Sequence, residues 1–222
     1  MLRFCVKPNR KLKKLQTVIG KRVRSFDLPS GHSCPFARDC ASRAVEVNGT
    51  RKVVDGPDCK FRCYSASQEA FYPATFAFRQ ENLLALKECR DKYDMASLLL
   101  AAIPNAAEVI RIHASGDFFN RSYFDAWLKV AWERSDLDFY CYTKAIQWTI
   151  AGRVPDNLTI TLSYGGTQDH LIPEAKELGY HTVEVVQEPS ILVLDEDDSH
   201  AYYGTEDFAL LVHGVQPARA RL

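Results

Sequence analysis

Residues 109–119 read Val109-Ile110-Arg111-Ile112-His113-Ala114-Ser115-Gly116-Asp117-Phe118-Phe119. The first six alternate as a strand does, and Ser115, Gly116 and Asp117 break the pattern ahead of a helix capped at Asn120 or Ser122. On that helix Tyr123, Phe124, Trp127, Val130 and Ala131 form an apolar stripe. The unit then recurs. A strand over 138–143 leads through Lys144 into a short helix over 146–151. Another over 158–163 leads through Tyr164, Gly165 and Gly166 into a helix over 168–178, closed by Gly179, and a strand over 180–186 follows. Such units predict an α/β fold with right-handed crossovers, built as a partial (β/α) barrel or as an open parallel-sheet core.

The polar residues of these strands fall on one face. Ile110, Ile112 and Ala114 alternate with Arg111, His113 and Ser115, and Leu158, Ile160 and Leu162 alternate with Thr159, Thr161 and Ser163. Parallel strands buried on both faces are apolar throughout, so the polar face predicts a wet or ligand-filled cavity, or a sheet face left in solvent. Parity adds Tyr140, Tyr142, Lys144 and Glu184 to it. Parallel α/β folds place their sites in the loops after the carboxyl ends of strands. Candidate cavity or cofactor-binding residues are therefore His113, Ser115, Gly116, Asp117, Tyr142, Lys144, Thr161 and Ser163.

Ahead of these units, residues 28–66 are loop-rich and carry four of the seven cysteines. Cys34 and Cys40 are separated by five residues, Cys59 and Cys63 by three. Pro35, Gly49, Gly56 and Pro57 leave room for at most a short helix over 41–47. A segment with so little apolar material gains its order from a bound metal. Four thiolates suit a [4Fe–4S] cluster or tetrahedral zinc, with a disulfide as a third course. The five-residue gap is wide for structural zinc and favours the cluster, and His32 stands by as a spare ligand.

A strand over 18–26 precedes this segment. Helices over 76–94 and 95–103 follow it, the second stopped by Pro104, with Cys89 a buried thiol on the first. Beyond residue 191 come a short strand, an acidic run over 195–198, a last strand over 208–213 and a frayed end with Arg219 and Arg221. His200 and His213 stand isolated.

The 222 residues suit a single domain: a cluster-binding loop over 28–66, helices over 76–104, βα repeats over 105–190 and a C-terminal extension over 191–222. The longest apolar run, 95–103, is too short for a bilayer, and no secretory pattern follows the first basic residues. A cytoplasmic protein without a membrane partner is expected, in a compartment where clustered cysteines bind metal. The 28 basic and 28 acidic residues cancel, yet nine Lys/Arg and no acid precede Asp27. Arg3, Lys7, Arg10, Lys11, Lys13 and Lys14 form a basic arm able to bind nucleic acid by counterion release, or a solvated edge, since no aromatic platform is interleaved with them.

Several of these motifs together resemble a known family. Leu28-Pro29-Ser30-Gly31-His32-Ser33-Cys34-Pro35 with Cys40, Phe61-Arg62-Cys63-Tyr64, Asn82-Leu83, residues 112–119 with Tyr123 and Trp127, and Tyr142-Thr143-Lys144 resemble the phage gene product 88 family of uncharacterised proteins. The resemblance implies a phage-encoded protein in the host cytoplasm; the family's further C-terminal cysteine cluster has no counterpart after Cys141. More distantly, the layout is similar to radical S-adenosylmethionine enzymes, with Cys59 and Cys63 at the spacing of that motif. This second resemblance implies S-adenosylmethionine held by Ser115 and Asp117, with Lys144 or Tyr142 facing a substrate. Tyr64, Ser65 and Ala66 stand where the third cysteine of that motif would fall, and four cysteine ligands would leave no iron open. The leading reading is an iron–sulfur protein in which Cys34, Cys40, Cys59 and Cys63 hold the cluster beside a radical-SAM-like α/β core, its reaction unassigned. The alternatives are a radical S-adenosylmethionine-like or redox enzyme and a zinc-stabilised nucleic-acid-binding accessory protein.

Overall fold

The computed structural model describes residues 1–217. Asn9 caps helix α1 (Arg10–Ile19), its side chain accepting a hydrogen bond from the Leu12 amide, and Gly20 ends it in the left-handed region. The strand predicted over 18–26 shrinks to β1 (Val23–Phe26), because its first residues complete the helix that buries Leu12 and Leu15. Four of the six residues of the basic arm, Arg10, Lys11, Lys13 and Lys14, therefore lie on a packed helix. Lys11 pairs with Asp198 and Lys14 with Glu196, while Lys7, Arg10 and Lys13 stay exposed.

In place of a short helix after Cys40, β2 (Ser42–Val47) and β3 (Thr50–Asp55) form an antiparallel hairpin. Asn48 and Gly49 take φ 51° and 72°, the paired left-handed residues of a two-residue turn whose twist matches that of the strands. Helix α2 (Tyr64–Phe71) starts directly after Cys63 and is followed by α3 (Pro73–Lys87) and α4 (Lys92–Ala102). The helix predicted over 76–94 thus breaks early, where Asp91 caps α4 by accepting from the amides of Tyr93 and Asp94. Cys89 falls in this break, half-buried, with its thiol donating to the Ala85 carbonyl.

The repeating units follow as predicted: β4 (Val109–Ile112), α5 (Arg121–Glu133), β5 (Asp138–Thr143), α6 (Ile146–Ile150), β6 (Leu158–Ser163), α7 (Ile172–Glu177) and β7 (His181–Val186). The tail adds β8 (Val193–Leu194), α8 (Ser199–Tyr203) and β9 (Phe208–Leu211); Arg219 and Arg221 lie outside the described residues. The sheet runs β1-β4-β5-β6-β7-β9-β8, with every neighbouring pair parallel. Among the described residues the end strands β1 and β8 do not pair with each other, so the sheet is an open parallel core and does not close into a barrel.

From β4 to β7 the strand order advances in one direction. Right-handed crossovers then put α5, α6 and α7 on the same face. That face carries Ile110, Ile112, Phe139, Cys141, Ile160 and Leu162, packed round Trp127, whose ring centre lies 5.6 Å from Phe26 and 6.3 Å from Phe139. The opposite, more polar face is not open along its length. Leu12 and Leu15 of α1 and Ala201 of α8 cover it over Val109, Tyr140, Val183 and Phe208. The cavity survives only at the carboxyl end. Glu184 does not join it: Ser163 pairs with Val183, which turns the next residue, Glu184, to the other face, where it is exposed.

Candidate metal centre and ligand cavity

At the carboxyl ends of β4, β5 and β6 the chain encloses a cavity of about 180 Å³. Cys34, Cys40 and Cys63 line it, facing Ser115, Gly116, Asp117, Tyr142, Lys144 and Ser163. Two stretches of chain bring the cysteines there. The Cys34–Cys40 loop is tied to the loop after β6 by the amides of Arg38 and Asp39, which donate to the Gly165 carbonyl at 3.2 and 2.9 Å. The Cys63 amide donates to Ser42 Oγ at 3.3 Å, so the hairpin holds the start of α2 against the cavity. Close approach of the cysteine segment to the loop after β4 requires Gly116, at φ 87°, since a Cβ there would lie 2.5 Å from Ser33 Oγ and 2.8 Å from Leu28 Cβ.

Buried charge fastens the same loops. Glu69 of α2 is fully buried and accepts from the Ser30 amide at 3.0 Å, Ser30 Oγ at 3.1 Å, Ser115 Oγ at 3.2 Å and the Arg79 guanidinium at 2.9 Å. One carboxylate thus joins the cysteine loop, the loop after β4 and α3. Asp117 is equally committed: its carboxylate accepts from Phe118 N and Thr143 Oγ1, both at 2.7 Å, and from Lys144 N at 2.9 Å. Burial still raises its pKa against these bonds. The Lys144 ammonium reaches Ser163 Oγ and the Tyr164 carbonyl, each at 2.5 Å.

Below the cavity Asp198 is the centre of the polar face. It accepts from Arg111, from Lys11 at 2.8 Å, and from the hydroxyls of Tyr140 and Tyr142 at 3.0 and 2.9 Å. Burial alone would raise its pKa, but Arg111 and Lys11 outweigh burial and hold the carboxyl below its ordinary value.

The predicted site residues divide accordingly. Cys34, Cys40 and Cys63 converge, whereas Cys59 does not line the cavity and donates its thiol to the Phe61 carbonyl at 3.1 Å. Burial raises the pKa of all four thiols, that of Cys63 to about 12, and Cys40 and Cys63 raise Cys34 further. All four are free of disulfides. Among the described residues no three His, Cys, Asp or Glu side chains are gathered closely enough to hold a single metal ion. His32 is spent on the hairpin, its Nε2 lying 2.8 Å from the Ala44 carbonyl.

His113 touches the cavity, but its left-handed backbone turns the ring to Phe118 and to the Tyr123 hydroxyl at 2.8 Å. Thr161 is fully buried with an unpartnered hydroxyl and lies beneath the cavity rather than in its wall. Sequence reasoning missed Ser65, Glu69 and Asp198 and left Arg111 out of the site. Ser65 Oγ and Arg111 Nε are buried, unpartnered and part of cavity-lining residues. No local pattern distinguishes any of the four, since their roles arise from contacts with distant segments.

Comparison with known proteins places this chain in a family. The chain is 30% identical over 133 residues to the Gene 88 protein of Mycobacterium phage D29, covering 55% of this chain and 48% of that protein. The chain therefore spans about half the length of the curated relative it matches. No solved structure matches it. The family model for gene product 88 matches residues 4–221, and with nearly the whole length accounted for, the chain belongs to the gene product 88 family.

Proposed function

We propose that the protein is a phage-encoded iron–sulfur protein of the host cytoplasm, with Cys34, Cys40 and Cys63 holding a [4Fe–4S] cluster at the mouth of the cavity. The observation that carries this reading is the convergence of three free, half-buried cysteines on one cavity at the carboxyl end of a parallel sheet. Their chemistry fits a cluster better than a single ion. The sulfurs of a zinc site lie about 3.8 Å apart at bonds of about 2.3 Å, whereas a multi-iron cluster spaces its thiolates more widely. Burial disfavours a bare thiolate, and positive iron offsets that cost. A bound cluster would supply one-electron transfer and, at any iron without a protein ligand, a position for a small molecule.

The protein's own groups define what such a molecule would meet. Ser65 Oγ and Arg111 Nε offer unused polar contacts, and Tyr142, Val183 and Leu210 an apolar floor. Three cysteines in place of four favour, as a second reading, the radical S-adenosylmethionine-like enzyme. In that reading Asp117 serves as a structural brace, because Phe118, Thr143 and Lys144 already occupy its oxygens.

Anaerobic purification with optical spectra and iron, sulfide and zinc analysis tests the proposal. A brown protein with about four irons and four sulfides per chain is expected. Replacing Cys34, Cys40 or Cys63 by serine should abolish the colour, and Cys59→Ser should keep it. A colourless protein with one zinc overturns the proposal, and loss of the cluster in Cys59→Ser restores a four-cysteine cradle. Cleavage of S-adenosylmethionine to 5′-deoxyadenosine by the reduced protein decides the second reading.

A further inference from the structure

A second concavity lies apart from the cysteines and shares no lining residue with their cavity. It is an open groove of about 490 Å³ between α4, α5 and the turn at Gly152 and Arg153. Two large rings stand at its wall, Tyr93 57% exposed and Trp132 51% exposed. Both turn away from the core: α5 buries Tyr123, Phe124 and Trp127 on its inner face and leaves Trp132 outward, and α4 buries Met95, Ala96 and Leu99 and leaves Tyr93 outward.

Cations are interleaved with the rings. Lys92 and Lys129 lie 5.5 and 5.7 Å from the centre of the Tyr93 ring, and Arg153 lies 5.5 Å from that of Trp132. Asp125 pairs with Arg121 and Lys92, and Glu133 with Lys129; among the described residues Arg153 has no ion pair. Lys92, Arg121, Lys129 and Arg153 against Asp125 and Glu133 leave the groove net positive. Exposed rings alternating with cations match a chain that alternates bases and phosphates. A duplex, with its bases already stacked, could use only the cations, and an apolar segment of protein would strand them.

We propose that this groove binds single-stranded nucleic acid, with bases on Tyr93 and Trp132 and phosphates on Arg153, Lys129 and Lys92. The site is distinct from the basic α1, which carries no such rings.

Fluorescence anisotropy of the full chain with a labelled oligothymidylate tests it, with a duplex of equal length and heparin as competitors. Saturable binding that weakens with salt is expected, and the unlabelled single strand should compete better than either alternative. Trp132→Ala and Tyr93→Ala should each weaken binding about tenfold, with Trp132→Phe retaining most of the affinity. Neutralising Arg10 and Lys13 should leave it unchanged. The proposal is overturned if no saturable binding occurs, if heparin competes equally while Trp132→Ala has no effect, or if binding disappears on neutralising Arg10 and Lys13. Because Cys34 lies outside the groove, Cys34→Ser should still bind, whatever becomes of the cluster.

Discussion

Burial, reinforced by the nearby Arg111 charge, lowers the His113 pKa from 6.5 to about 3, so the native protein keeps this imidazole neutral where an unfolded chain would protonate it. The folded value lies below the unfolded one. The stabilisation is therefore complete above about pH 6.5 and is lost as pH falls towards 3, at up to roughly 1.4 kcal/mol per pH unit. Urea midpoints should drop between pH 6.5 and 5, a window in which ordinary carboxylates remain ionised. His113→Gln should flatten that slope without abolishing it, since burial also lowers the His213 pKa; a slope unchanged in the variant would refute the assignment. At this scale the sequence is legible only where residue type alone speaks. Four thiols between residues 34 and 63 announce themselves, but which three converge depends on the hairpin between them. Alternation assigns His113 to the polar face, and a left-handed φ of 70° at a non-glycine residue, which no pattern foretells, turns it away. Glu69 reads as one more helical glutamate until α3 and two loops close on it.

Elements were legible wherever local chemistry and tertiary need agree. The bounds of β5 and β6 coincide with the predicted strands because aromatic and β-branched residues fill them and turn residues flank them. The hairpin was written in the chain as Asn48-Gly49 between β-formers, but the surrounding cysteines, glycines and proline made the stretch read as irregular. The break between α3 and α4 turns on a cap, not on periodicity, since the apolar spacing runs on across it. Asp91→Ala should therefore cost about 1 kcal/mol in chemical denaturation, by freeing two amides at the start of α4. Asp94→Ala, three residues on, should cost distinctly less. Its partner Arg90 is 86% exposed, and a surface pair is worth little against solvent screening. Equal losses in the two variants would show that the first turn of α4 depends on charge and not on the cap.

On the scale of the whole molecule, a sheet wound in one direction has two unequal faces, and the chain spends its helical units on only one of them. The other must be closed by segments from the two ends, α1 and the region after residue 191. The sequence could not show this, because neither end carries strand–helix periodicity and the join between them is made by side chains distant in the chain, Lys11 with Asp198 and Lys14 with Glu196. Asp198 accepts from Lys11 of α1, Arg111 of β4, and Tyr140 and Tyr142 of β5, so its carboxylate ties both ends of the chain to the middle of the sheet. Removing it would strand Arg111, itself buried with its pKa raised by Asp198 against the effect of burial. Breaking one side of a buried pair costs about 3–5 kcal/mol, while replacing both partners by well-packed neutral groups costs far less. Asp198→Asn should accordingly lower stability by several kcal/mol and speed hydrogen exchange in α1 and α8 together. Arg111→Met combined with Asp198→Asn should recover part of the loss, and Lys11→Met alone should cost little, because its side chain is a quarter exposed. If Asp198→Asn loosened α8 while α1 exchanged as before, the two ends would be held independently, and closure of the polar face would rest on Leu12 and Leu15 alone.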